Sequence, residues 1–221
     1  MGGGAPLGWA FIQVFRGIDL GVDISNHPIL YIYMLFGTAA VFACFGFYVG
    51  LQECHLRERS QRDPLTGLSN LRHFRQQLDM QIAQSQRDDA ALSLIFFDLD
   101  HFKKVNDRYG HAGGDIVLIE VCATVSKLLR RNELFARVGG EEFAVLVPHD
   151  TLEHASLVAE RIRIAVQDHN ISVGLNNVIK VTVSLGVAQY DGNESANLFV
   201  ERADIAMYEA KKCGRNKVVA Q

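Results

Sequence analysis

The sequence predicts an α/β (α+β) domain of split βαβ form, with an antiparallel hairpin in its sheet, preceded by a transmembrane helix. Three observations carry that expectation. Residues 28–51 contain no charged side chain. Beyond Pro64, apolar runs of strand length alternate with stretches of helical periodicity. Between two such runs, 134–138 and 143–147, stands Gly139-Gly140-Glu141-Glu142. Apolar runs flanking Gly-Gly read as a hairpin, the glycines being expected to supply the φ > 0 of a tight turn.

The elements follow in order. Residues 1–27 have no assigned role. Met1-Gly2-Gly3-Gly4 reads as flexible, and the apolar stretch 7–15 is too short to span a bilayer and lacks the basic flank of a signal peptide. Residues 28–51 suffice, at about 1.5 Å per residue, to cross a hydrocarbon core of about 30 Å. Tyr31, Tyr33 and Tyr48 suit the interfaces. A buried core helix or an interaction surface is the competing reading. Arg57, Arg59 and Arg62 follow the span, whereas only Arg16, with Asp19 and Asp23, precedes it. Basic flanks stay in the cytoplasm, so the C-terminal part is expected there. Residues 52–62 read as a helical linker, and Asp63-Pro64 breaks it. Residues 63–221 then form one domain.

Within that domain Leu71, Phe74, Leu78 and Ile82 have helical spacing, and 92–97 is a buried strand. Val117, Val121, Val125 and Leu128 mark a second helix, followed by the hairpin. Val158, Ala159, Ile162, Ala165 and Val166 mark a third helix, and 178–187 is a strand rich in β-branched residues. Phe199, Ala203, Ala206, Met207 and Ala210 mark the last helix, before a short strand at 217–219. Strand–helix–hairpin–helix–strand gives a sheet with helices on one face.

A net charge of −3 gives no strong pull toward nucleic acid, and none is expected as a partner. The four cysteines, Cys44, Cys54, Cys122 and Cys213, form no CxxC pair, which argues against a zinc site or a disulfide framework.

The chemistry gathers at strand ends. Asp98 and Asp100 end the buried strand two residues apart, facing the same side. A carboxylate there needs compensation, by a divalent cation or by a salt bridge or helix cap. A hairpin pairing beside this strand brings Glu141 and Glu142 to Asp98. Converging carboxylates repel, and Mg²⁺ resolves the repulsion; two ions about 4 Å apart suit attack on phosphorus. Lys103 suits a phosphate oxygen, and Lys211 and Arg215 add charge for a triphosphate or merely complement a helix C-terminus. Asn106 and Asp115 match the donors and acceptor of guanine.

From Asp63 onward the chain resembles the GGDEF domain of bacterial diguanylate cyclases. The resemblance rests on Asp63-Pro64-Leu65-Thr66-Gly67-Leu68-Ser69-Asn70, on Asp98-Leu99-Asp100-His101-Phe102-Lys103-Lys104-Val105-Asn106-Asp107 and on Gly110-His111-Ala112-Gly113-Gly114-Asp115. It continues through Gly139-Gly140-Glu141-Glu142-Phe143, Val183-Ser184-Leu185-Gly186, and the segment from Ala203 to Lys211 with Gly214-Arg215-Asn216. The implied fold is ferredoxin- or palm-like. The implied reaction condenses two GTP to cyclic di-GMP and two pyrophosphates, each 3′-hydroxyl attacking the other nucleotide's α-phosphorus, in a homodimer. By the resemblance, Asp98, Glu141 and the Leu99 carbonyl hold two Mg²⁺ or Mn²⁺ ions, with Glu142 close by. Glu141 is also the implied proton acceptor; a metal-bound carboxylate is a poor base, so metal activation of the hydroxyl is the alternative. Lys103 stabilises transition-state charge, Asn106 and Asp115 read guanine with His111 nearby, and Lys211 and Arg215 hold phosphates.

Two departures matter. The signature's third residue is Glu141 where the family name has Asp, and active members carry either. The family's inhibitory Arg-x-x-Asp is here Arg130-Arg131-Asn132-Glu133. The longer acid shifts its carboxylate by roughly 1.5 Å, so product inhibition is expected to weaken or vanish. A non-catalytic module binding GTP or cyclic di-GMP is the rival reading, against which the intact signature argues. An adenine-containing product is disfavoured by Asp115.

Overall fold

The computed structural model describes residues 8, 17, 20–59, 61–174 and 177–221. They fall into two units that divide between Ser60 and Gln61. The expectations for 1–7 and 9–16 lie outside the described residues.

The first unit is helical: α1, Leu20–Asn26, and α2, Pro28–Arg59. Pro28 stands at the first position of α2, where its fixed φ fits and its absent N–H costs nothing. Within α2 the 21 residues Pro28–Tyr48 are long and apolar enough to cross a membrane, and none of those residues is buried. A core helix would bury such a face. The helix continues without a break to Arg59, through most of the stretch expected as a linker.

The second unit holds a six-stranded sheet of order β1-β3-β4-β2-β7-β8. Its strands are β1 (Ser69–Asn70), β2 (Leu92–Leu99), β3 (Leu134–Arg137), β4 (Glu142–Pro148), β7 (Val183–Gln189) and β8 (Val218–Ala220). The central strand β2 runs antiparallel to both β4 and β7, while β1 joins β3 and β8 joins β7 in parallel. A separate hairpin pairs β5 (Ile171–Ser172) with β6 (Val178–Ile179).

Helices cover both faces of this sheet, not one. Ile95, Phe97 and Leu99 of β2 pack with α4 (Phe102–Ser126) and α5 (Leu152–Asp168), through residues such as Val117, Val121, Ala159 and Ile162. Leu92, Leu94 and Phe96 pack with α3 (Leu71–Asp88) and α6 (Ala196–Lys212), through Phe74, Leu78, Phe199 and Met207. Alternate β2 side chains therefore enter different cores, and all eight residues are buried. A continuous apolar strand already carries that message, because a strand with a wet face alternates. Phe97 stacks on Phe143 at 5.2 Å and on Phe135 at 6.0 Å, locking the hairpin to β2.

Side-chain caps start two helices: Asn70 Oδ1 accepts from the His73 N–H, and Ser195 Oγ from that of Leu198. Gly186 lets α6 lie on β7, since a Cβ there would sit 2.0 Å from the Ala203 carbonyl oxygen. The expected strand 178–187 is broken. Residues 180–182 leave the β5–β6 hairpin and enter the sheet only at Val183. Asp100 takes up this crossover: its N–H donates to the Thr182 carbonyl, and its carboxylate accepts from the Thr182 and Ser184 hydroxyls, each at 2.7 Å.

Candidate active site

The antiparallel register of β2 and β4 sets Asp98 opposite Glu142. The Leu99 N–H donates to the Glu141 carbonyl at 3.3 Å, so the signature acids arrive at the end of β2 as its spacing requires. Leu99 is fully buried at the end of β2. Burial pushes the Asp98 carboxyl up to about 6; Lys211 pulls it down, and Glu141 and Glu142 push it further up. Glu141 is likewise raised, by burial first and by Glu142, against the pull of Lys211. Acids from two distant stretches thus share one field.

Lys211 Nζ lies 2.9 Å from Asp98 Oδ2, the two side chains being 26% and 7% exposed. Lys211 stands in the last turn of α6, brought over Asp98 by the close packing that Gly186 permits. Among the described residues no three acidic, histidine or cysteine side chains form a ready cage for a metal. The donor set nevertheless fits a hard divalent cation: only carboxylate and backbone oxygens are offered, and an ammonium ion already occupies the cationic position on Asp98.

The hairpin corrects one expectation. Neither Gly139 nor Gly140 has positive φ. Gly139 makes room for a side chain instead, because a Cβ there would lie 2.2 Å from Glu142 Oε2 and would push that carboxylate aside. Gly140 has open space beside it. The turn is closed by the Val138 and Gly139 N–H groups, which donate to the Glu142 carbonyl, and by Arg137, whose Nη2 donates to the Gly140 carbonyl at 2.6 Å. Arg137 Nη1 also pairs with Asp63 Oδ1 at 3.1 Å, and that oxygen accepts from the Thr66 N–H and hydroxyl. Asp63 and Arg137 are therefore positioning residues to which sequence reasoning gave no role. Their signal was present: a charged residue in the first motif and an opposite one just before the signature.

Lys103, Asn106, His111 and Asp115 all lie on α4. His101, with φ of 60°, turns the chain from β2 into the helix, and Lys103 lies exposed in its first turn. Gly110, with φ of 71° and ψ of 172°, breaks α4 into two segments. The break lays the Asn106 side chain on Gly114, where a Cβ would be 2.0 Å from Asn106 Oδ1, beside exposed Asp115. His111 is exposed one residue past the break. Arg215 is exposed after α6, with φ of 64° and its N–H donating to the Ala210 carbonyl. Lys103, Asn106, His111, Asp115 and Arg215 make no ion pair with the Asp98–Lys211 centre. Asp100 takes the bland alternative: its two oxygens accept from Thr182, Ser184 and the Asn216 N–H, and it serves as a structural tie.

The model of the family described as "Diguanylate cyclase, GGDEF domain" matches residues 60–217. The chain belongs to the GGDEF family. Diguanylate cyclase DgcP of Pseudomonas aeruginosa is 38% identical over 167 residues, covering 74% of this chain and 25% of that protein. Diguanylate cyclase A of Treponema denticola is 41% identical over 175 residues, covering 77% and 47%. The chain thus spans less than half the length of these curated relatives. The crystal structure of the GGDEF domain of DgcB from Caulobacter crescentus, in complex with c-di-GMP, is 34% identical with a TM-score of 0.71, covering 73% of this chain and 95% of that one.

In this GGDEF domain the Arg130–Glu133 turn is closed on itself. Glu133 is buried, and its Oε2 accepts from the Arg130 N–H at 2.6 Å. The Arg130 guanidinium lies between two acids, with Nη1 3.0 Å from Asp150 Oδ2 and Nε 4.0 Å from Glu133 Oε1.

Proposed function

We propose that this chain is a membrane-tethered diguanylate cyclase that condenses two GTP to cyclic di-GMP and two pyrophosphates. The observation that supports it most is the meeting of Asp98 with the Glu141-Glu142 segment under Lys211. Asp98, Glu141 and the Leu99 carbonyl would hold two Mg²⁺ or Mn²⁺ ions, with Glu142 beside them. Bound there, the metal supplies charge neutralisation at the phosphates and acidifies the ribose hydroxyl. Lys103, Lys211 and Arg215 bind the phosphate oxygens, and Lys103 offsets charge that develops in the transition state. Asn106 and Asp115 hydrogen-bond the guanine edge, with His111 near them. Glu141 is the candidate acceptor of the 3′-hydroxyl proton, with metal activation of the hydroxyl as the alternative.

One domain offers one set of these groups, so turnover requires a homodimer that faces two GTP toward each other. Residues 28–51 anchor the chain in a bacterial inner membrane, 52–62 carry the signal as a helical linker, and 63–221 form the cytoplasmic catalytic domain. The inward carboxylate of Glu133 supports weakened or lost product inhibition at the Arg130 turn. Purified full-length chain in detergent, given GTP and Mg²⁺, yields cyclic di-GMP on product chromatography. Binding of GTP without any cyclic product, at protein concentrations that pair the domains, would overturn the proposal.

A further inference from the structure

We propose a second, non-catalytic anion site that takes a small diphosphate-bearing molecule between α4 and the chain leaving β6. It is a cavity of about 290 Å³, lined among others by Lys104, Arg108 and Lys180, with His101 at its edge. Lys104 and Arg108 lie one turn apart on the first segment of α4, so they share a stripe. Lys103 and Asn106 occupy a different stripe of the same segment and do not line this cavity. Lys180 comes from the opposite wall, in the crossover between β6 and β7.

The charge balance singles this cavity out. The protein carries a net −3, yet three basic side chains face one hollow and none of them makes an ion pair among the described residues. The acid in the lining, Asp100, is spent on Thr182, Ser184 and the Asn216 N–H. Like charges from two walls repel unless an anion enters between them. Three positive charges suit a multiply charged phosphate better than a single carboxylate. Arg108 also lies over the Tyr109 ring, 5.3 Å from its centroid, which stiffens the guanidinium and leaves its donors free for oxygen. An occupant would tie the first segment of α4 to the β5–β6 hairpin. The inference is independent of the catalytic reading, since it uses none of the proposed active-site residues.

The test is lysine reactivity, read residue by residue by mass spectrometry after brief acetylation of the full-length chain in neutral detergent. Inorganic pyrophosphate is the probe, without Mg²⁺ and at constant ionic strength. Lys104 and Lys180 should react about fivefold more slowly at a pyrophosphate concentration about four times its Kd, because protection follows 1 + [L]/Kd. The protection should persist in Lys211→Met/Arg215→Met and fall away in Arg108→Gln. Lys180→Gln, read at Lys104, gives the same loss through a second variant. Unchanged reactivity of Lys104 and Lys180 in the wild type overturns the proposal. So does protection that both Arg108→Gln and Lys180→Gln leave intact, or protection by phosphatidylglycerol vesicles but not by pyrophosphate.

Discussion

Asp98 and Arg137 carry opposite tasks at the residue scale, and each makes a prediction. The folded pKa of Asp98, about 6, lies above its unfolded value near 3.9. Between those values the native state holds more protons than the unfolded state, so this group's contribution falls as pH rises through that window. Asp98→Asn should therefore raise stability at pH 7.5 in chelator by about 2 kcal/mol, a gain that vanishes by about pH 4. Thermal unfolding at both pH values checks this, and a stability loss at pH 7.5 would contradict it. Asp63 has the reverse sign. Burial raises its pKa, but the Thr66 and Arg137 bonds outweigh that and leave it lowered. Its contribution is present above its unfolded pKa and is lost as pH falls through the folded one. Arg137→Ala should cost about 1–3 kcal/mol in denaturant melts and should slow turnover, by releasing both Asp63 and the Gly140 carbonyl. A turnover number equal to wild type would remove Arg137 from the account. The meeting of the acids was legible in the sequence because a strand end and a hairpin signature carry it. The Asp63–Arg137 brace was not, since it joins residues 74 positions apart through a contact that no periodicity encodes.

Glycine marks where one element presses on another. Gly139 and Gly186 both exclude a methyl group, against different neighbours. At Gly139 the obstacle is the movable Glu142 carboxylate, so Gly139→Ala should displace that side chain and cut turnover more than it cuts stability. At Gly186 the obstacle is the backbone of α6, so Gly186→Ala should destabilise by about 3 kcal/mol. Turnover and urea melts on the two variants separate these outcomes; equal patterns would refute the distinction. The hairpin was legible from its flanking apolar runs, but the reason for its glycines was not. Positive φ is the usual demand on Gly-Gly in a turn, whereas here the demand is steric and comes from a residue three positions away. The two-sided sheet was written in 92–97 but was overridden by the topology of the split βαβ unit. The break at 180–182 was hidden because β-branched residues suit either side of a crossover that Asp100 alone defines.

For the whole molecule, α2 carries an apolar span without a buried residue and the second unit holds two cores, and the proposal assigns anchoring to the first and chemistry to the second. If two domains must face each other, specific activity should rise with the number of chains per detergent micelle or vesicle, and reconstitution at low and high density measures that. A constant specific activity would argue for turnover within one domain. The central claim is that carboxylates from β2 and from the hairpin share one metal. Mn²⁺ affinity in the presence of a non-hydrolysable GTP analogue tests it through Asp98→Ala, Glu141→Ala and the double variant. Shared ligation predicts that each single change weakens Mn²⁺ binding nearly as much as both together. Fully additive losses, or a single variant that binds Mn²⁺ as the wild type does, would contradict the account.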